Sequence, residues 1–196
     1  MFYRDFILTV ERGDRLFFMT QLVTLLHEKH SQLPVGLAFP EWQDGKPVRV
    51  DDFDTRRNHA NLGATIRLFS EHADVLESAV RVLNVDVLIQ KRVLHVTPVK
   101  PAPTCGTYAA FCRVRTADSL HRRSRRVTDQ AARMAMEDKV AAAAHTTAYF
   151  VMSNQQGNSQ RSMYITKVAG SARAESLNVN SFGFSSQSAP CFLPDF

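Results

Sequence analysis

The sequence contains no apolar run long enough to span a membrane, and its opening stretch, MFYRDFILTV, does not read as a signal peptide. Its three cysteines, Cys105, Cys112 and Cys191, are odd in number and form no C-x-x-C pair. That argues against a disulfide framework and against a zinc site, and it fits a reducing cytosol. His27 and His30 stand three apart in HEKH, which is not the H-E-x-x-H spacing of a zinc protease, and no third ligand suggests itself, so neither metal nor cofactor is expected. No internal repeat, long low-complexity segment, helix-turn-helix or dimerisation signal is visible, which weakens a reading as a DNA-binding regulator. The first half of the chain also lacks any charge excess, with residues 1–105 holding 13 Lys and Arg against 13 Asp and Glu.

The whole formal charge of +5 therefore lies in the second half, where residues 106–196 hold 11 basic residues against 6 acidic ones. With a pI near 9.4, this asymmetry points to a polyanion, nucleic acid or an anionic surface, more than to a small acidic metabolite. Its focus is Arg113 to Arg126, where six arginines meet one acid, Asp118. FCRVR alternates as a strand does, and SLHRRSRRVTDQAARMAM has helical character with Asp118 at the N-cap position. Wound at 100° per residue, that helix carries Leu120, Val127, Ala131, Met134 and Ala135 on one stripe and Arg122, Arg125, Arg126 and Arg133 opposite. A charge run is ordinarily a solvated face. Here the basic residues are nearly all Arg, whose planar fork suits bidentate phosphate and guanine contacts.

Taken in order, Phe2 to Val10 reads as a strand, Arg15 to His30 as a helix capped by Asp14, and PVGLAFP as a second strand. Residues 43–62 read as a loop, GATIRLF as a strand, and Ser70 as the cap of a short helix reaching Val80. The apolar material from Val82 to Val96 then supplies a further strand or strand pair. This order, strand-helix-strand-strand-helix-strand, is that of a ferredoxin-like domain over residues 1–96, within an α+β fold. TPVKPAPTCGT, residues 97–107, reads as a stiff proline-rich connector. A smaller α+β domain follows over 108–196: the basic strand and helix, an alanine-rich stretch, the strands AYFVMS and MYITKV around the turn NQQGNSQ, and an irregular tail.

These residues carry a resemblance. LVTLLH ending in His27, the G-x-x-F-P of Gly36 to Pro40, the strand with Arg113-Val114-Arg115, the arginine-rich helix, and FGFS…FLPDF follow one another as they do in the type I-F CRISPR repeat endoribonucleases, which the chain resembles. The resemblance implies metal-free cleavage of precursor CRISPR RNA at the base of the repeat hairpin, by attack of a ribose 2′-hydroxyl that leaves a 2′,3′-cyclic phosphate. It implies that His27 is the catalytic histidine and that Ser153 or Asn154 holds the 2′-hydroxyl. It also implies that Arg113 and Arg115 read base edges at the stem foot, while Arg122, Arg123, Arg125, Arg126 and Arg133 hold phosphates. Phe182, which stands where the family has a tyrosine, can stack on RNA, and Arg115 stands where the family has a glutamine. The implied partners are the CRISPR RNA hairpin, the other subunits of a type I-F surveillance complex and, where the locus is attached to a transposon, a transposition protein.

Without the resemblance these residues read more plainly: a helix-flank histidine is ordinarily a surface residue, Ser153 and Asn154 are turn formers, and Phe182 and Phe184 belong in a core. His59, His72, His95 and His145 show no constellation, and His121 faces solvent or RNA. An arginine helix cannot read the deep, narrow major groove of regular A-form RNA, so it has to work near a stem end or loop. The alternative function is a non-catalytic hairpin-binding scaffold subunit of a ribonucleoprotein.

Overall fold

The computed structural model of the chain describes residues 1–45, 59–115, 126–153 and 160–196. Alternation over Phe2–Leu8 makes β1 the centre of the first sheet, with Phe6 and Leu8 buried on the face that meets the core. β1 pairs antiparallel with β3 (Thr65–Ser70) on one side and β4 (Leu94–Val96) on the other, and β2 (Gly36–Ala38) pairs antiparallel with β3. The order β2-β3-β1-β4 is the ferredoxin-like order, and the chain is an α+β protein.

α1 (Arg12–Glu28) starts one turn earlier than its sequence pattern suggests, with Glu11 at the N-cap position and Asp14 inside the first turn, where its charge meets the helix dipole. Its buried residues are Met19, Thr20, Leu22, Val23 and Leu26. α2 (Ala73–Leu83) follows β3, and the Ser70 hydroxyl accepts the His72 amide at 3.2 Å in the turn between them. The expectation of a strand or strand pair over Val82 to Val96 is corrected: Asn84 adopts a left-handed conformation at the end of α2, α3 (Asp86–Gln90) follows, and only Leu94–Val96 joins the sheet. The connector is also less free than its prolines suggest, because β5 (Lys100–Pro101) pairs with Phe2 and Tyr3 of β1.

The second sheet has the order β7-β8-β6-β9, formed by β6 (Tyr108–Arg113), β7 (Thr147–Ser153), β8 (Gln160–Gly170) and β9 (Leu193–Pro194). β9 belongs to the segment read as an irregular tail. Two of its residues find partners on β6 at Tyr108 and Ala109, too short a pairing to leave a period in the sequence.

The two sheets share one core. Phe39, just past β2, is fully buried, with its ring 5.2 Å from Phe111, 6.0 Å from Phe150 and 6.2 Å from Phe184. On the opposite face of the first sheet, Asp5 and Arg67 lie across from each other on β1 and β3 and form a bidentate pair at 2.7 and 2.9 Å. The same guanidinium donates to the Phe196 carbonyl at 2.7 Å and lies 4.0 Å from the centre of the Phe196 ring.

The helix expected to run unbroken through the arginine stretch into residue 136 is corrected in its continuity only: α4 (Gln130–Ala144) begins after a break, and the arginines before Arg126 from residue 116 on lie outside the described residues. Residues 126–129 are not helical, and the carboxylate of Asp129 accepts the amides of Ala131 at 2.9 Å and Ala132 at 3.4 Å. Nor is the apolar stripe buried where it is described: Ala131 and Ala135 are exposed and Met134 is 58% exposed. Asp118, Leu120 and the segment between them lie outside the described residues.

Candidate functional site

Leu16, Thr20, Thr24 and His27 recur on one flank of α1, and that flank turns toward β7. Thr24 fixes the contact: its hydroxyl donates to the Thr20 carbonyl at 2.8 Å and lies 3.7 Å from the Met152 sulfur. One turn further on, the half-buried imidazole of His27 stacks on the ring of Phe182, with centroids 3.8 Å apart and planes 11° from parallel. Its Nδ1 is enclosed, with no hydrogen-bond partner among the described residues, so Nε2 is the ring nitrogen that can meet a ligand.

Phe182 is held by a built turn. The Asn180 side-chain oxygen accepts the amides of Phe182 at 2.8 Å and Phe184 at 3.3 Å, and Phe184 is fully buried as the anchor. Gly183 between them has φ +76° and gives its carbonyl to the Leu37 amide at 2.9 Å. A Cβ at Gly183 would lie 2.6 Å from Leu37 Cγ and 2.9 Å from the Val35 oxygen, so both conformation and space require glycine. Strand β2 therefore locates the aromatic ring that locates the histidine.

The basic residues divide. Arg113 ends β6 half-buried, its backbone amide donating to the Ser185 carbonyl at 3.2 Å, and Arg115 is exposed two residues on. Arg126 and Arg133 are exposed, before and within α4. Arg122, Arg123 and Arg125 lie outside the described residues, as does Asn154; Ser153 is the last residue of β7 and pairs with Gln160 of β8. Along the seam with α1, β7 runs from Ala148 and Tyr149, which share a cleft with Arg12 to Met19, to Met152 at Thr24. Its end is thus directed toward the His27 end of the helix.

His59 forms a constellation that the sequence did not disclose. Its ring sits 4.9 Å from Tyr149 and 5.9 Å from Tyr164, with Nδ1 3.1 Å from the Thr147 carbonyl. Burial pushes the His59 imidazole below its usual range, against the raising effect of its backbone hydrogen bonds. The only trace in sequence was a pair of tyrosines on alternating strands, which β7–β8 pairing sets opposite each other. Among the described residues no group of three or more His, Cys, Asp or Glu side chains could hold a metal ion, and no helix is long and apolar enough to cross a membrane.

Fold and site define a basic α+β protein that presents a ring-stacked imidazole beside the seam between a helix of one sheet and a strand of the other. The chain belongs to the Cas_Csy4 family of CRISPR-associated proteins, whose model matches residues 11–196, and thus to the type I-F repeat endoribonuclease family, with a role in CRISPR RNA processing. No curated protein matches the sequence. Among solved structures it is similar to one described as the crystal structure of a CRISPR-associated protein from Thermus thermophilus, at 12% identity over 99% of this chain and 100% of that one, with a TM-score of 0.28.

Proposed function

We propose that the chain is a metal-independent endoribonuclease that cuts precursor CRISPR RNA at the base of the repeat hairpin and stays on the product as a subunit of a type I-F surveillance complex. The observation that carries this reading is the clamped imidazole: His27 stacked on Phe182, with Nδ1 enclosed and Nε2 left to act. In the step, the 2′-hydroxyl gives up its proton to a base, the O2′–P bond forms, the P–O5′ bond breaks, and the 5′-oxygen leaves with a proton. His27 is placed to exchange protons at one end of that line. Ser153 or Asn154, at and just beyond the end of β7, holds the 2′-hydroxyl in line. Residues 1–96 supply the histidine. Residues 108–196 supply the RNA grip: Arg113 and Arg115 at the stem foot, Arg122, Arg123, Arg125, Arg126 and Arg133 on phosphates, and the free part of the Phe182 ring against the RNA. Other complex subunits, or a transposition protein where the locus is transposon-borne, dock on the bound assembly.

The test is single-turnover cleavage of the cognate repeat RNA in EDTA. The parent protein should leave a cyclic phosphate, His27→Ala should bind with unchanged affinity and cut roughly 10²- to 10⁴-fold more slowly, and RNA with 2′-deoxyribose at the cut should bind and survive. Because Phe182 carries no hydroxyl to act beside His27, a scaffold role is the reading that takes over if His27→Ala and the parent behave alike.

A further inference from the structure

A cleft of about 480 Å³ opens at the other end of the α1–β7 seam, between the first turns of α1, the loop that begins at His59, and the start of β7. Leu16, on its wall, lies on the same flank of α1 as His27, about 16 Å away along the helix axis at 1.5 Å per residue. The cleft is lined by Arg12, exposed, and Arg15, half-buried, and among the described residues no acidic side chain lines it. Its far wall is aromatic: Tyr149 and His59 meet edge to face at 4.9 Å with planes 69° apart, and Tyr164 closes behind them. Its size is that of a small-ligand site, too small for a duplex. Guanidinium groups at a mouth and aromatic rings within are the means by which proteins hold unpaired nucleotides, the charge tracking the backbone and the rings stacking a base.

We infer that this cleft binds an unpaired nucleotide of the RNA strand that continues past the cut. The inference rests on the reading of His27 as the cleavage site. If the hairpin is retained and cut at its foot, the strand passing His27 is duplex on one side and unpaired on the other, the 3′ side. That unpaired strand is the one free to follow the seam to Arg12 and Arg15. The cleft then grips the substrate but not the retained hairpin product, so its contribution is lost when the chain is cut and the downstream fragment leaves.

Two RNAs distinguish this: the hairpin ending at the cut, and the same hairpin with 2′-deoxyribose at the cut and a short unpaired 3′ extension. The parent protein should bind the extended RNA roughly 5- to 150-fold more tightly, the range for stacking one base. Two variants should lose that gain and keep the affinity for the bare hairpin. Arg12→Ala with Arg15→Ala removes the charge. Gly13→Leu fills the mouth, where a Cβ meets nothing within 4 Å. A 4-thiouridine in the extension should photo-crosslink to the 59–63 or 148–149 peptide. Equal affinity for both RNAs in the parent overturns the cleft assignment and leaves the hairpin reading standing. A gain that survives both variants, or a crosslink elsewhere, also overturns it and routes the strand along another surface. If neither RNA binds, the hairpin reading itself falls and the cleft assignment with it.

Discussion

At the scale of single residues, the site is made by a stack rather than by a hydrogen-bond relay. An imidazole whose enclosed Nδ1 has no partner among the described residues gets its orientation from packing, and the ring 3.8 Å away supplies it. Phe182→Leu should therefore slow single-turnover cleavage by about 10- to 100-fold, the cost of a misplaced reacting group, with hairpin affinity nearly kept, while Phe182→Tyr keeps the stack and the rate. A Leu variant as fast as the parent would show that the stack does not position His27. His59 makes a different prediction. Its folded pKa is depressed by burial, so between the folded value and the unfolded value of about 6.5 the unfolded chain binds the extra proton. Stability should hold above that unfolded value and fall as pH drops below it. Melting temperatures at pH 7.5 and 5.5 should differ less for His59→Gln than for the parent; an identical pH dependence would remove His59 as the source.

At the scale of elements, the sequence was legible where a period was strong and blind where partners were distant. The alternation of FYRDFIL and of MYITKV survives as β1 and β8, and LVTLLH as the end of α1. The apolar run after Val82 failed because a short continuous apolar stretch reads alike as strand or helix, and left-handed Asn84 settles it only in three dimensions. The helix expected over residues 119–136 is interrupted at 126–129, where Asp129 holds the amides of Ala131 and Ala132 and starts α4; its arginine part before Arg126 lies outside the described residues, and spacing alone could not place that break. Nothing in the spacing could tie His27 to Phe182 or His59 to Tyr149, since those pairs meet only through β2, the Gly183 turn and β7. The cap has a measurable consequence. Asp129→Ala should cost about 1 kcal/mol at the start of α4 and speed amide exchange at Ala131 and Ala132. Because residues 130–135 at the start of α4 are exposed, the global melting temperature should move little; a large drop would mean that this end of the helix is packed more firmly than its exposure indicates.

At the scale of the whole molecule, the question is whether the part carrying the histidine and the part carrying the arginines can come apart. The chemistry argues that they cannot be loose, since His27 on α1 takes its position from Phe182, far along the chain, and a shift of one ångström between them costs rate. The structure supplies the lock in Phe39, which leaves β2 of the first sheet and is fully buried among Phe111, Phe150 and Phe184 of the second half. Trp42, three residues on, lies 5.7 Å from Phe111 and extends the same contact. An aromatic so enclosed cannot be removed without a cavity, and Phe39→Ala should cost about 3–5 kcal/mol. Because the cavity opens on both sheets, both should be lost together. Urea unfolding followed by far-UV circular dichroism and by Trp42 fluorescence should give coincident transitions, shifted to lower denaturant in the variant. Cys112 and Cys191, whose thiols burial pushes up, offer an independent probe on the second half, and labelling them should require that same unfolding. If labelling of those cysteines precedes the loss of Trp42 signal, the second half opens on its own. The imidazole would then be positioned by RNA binding instead of by the folded chain.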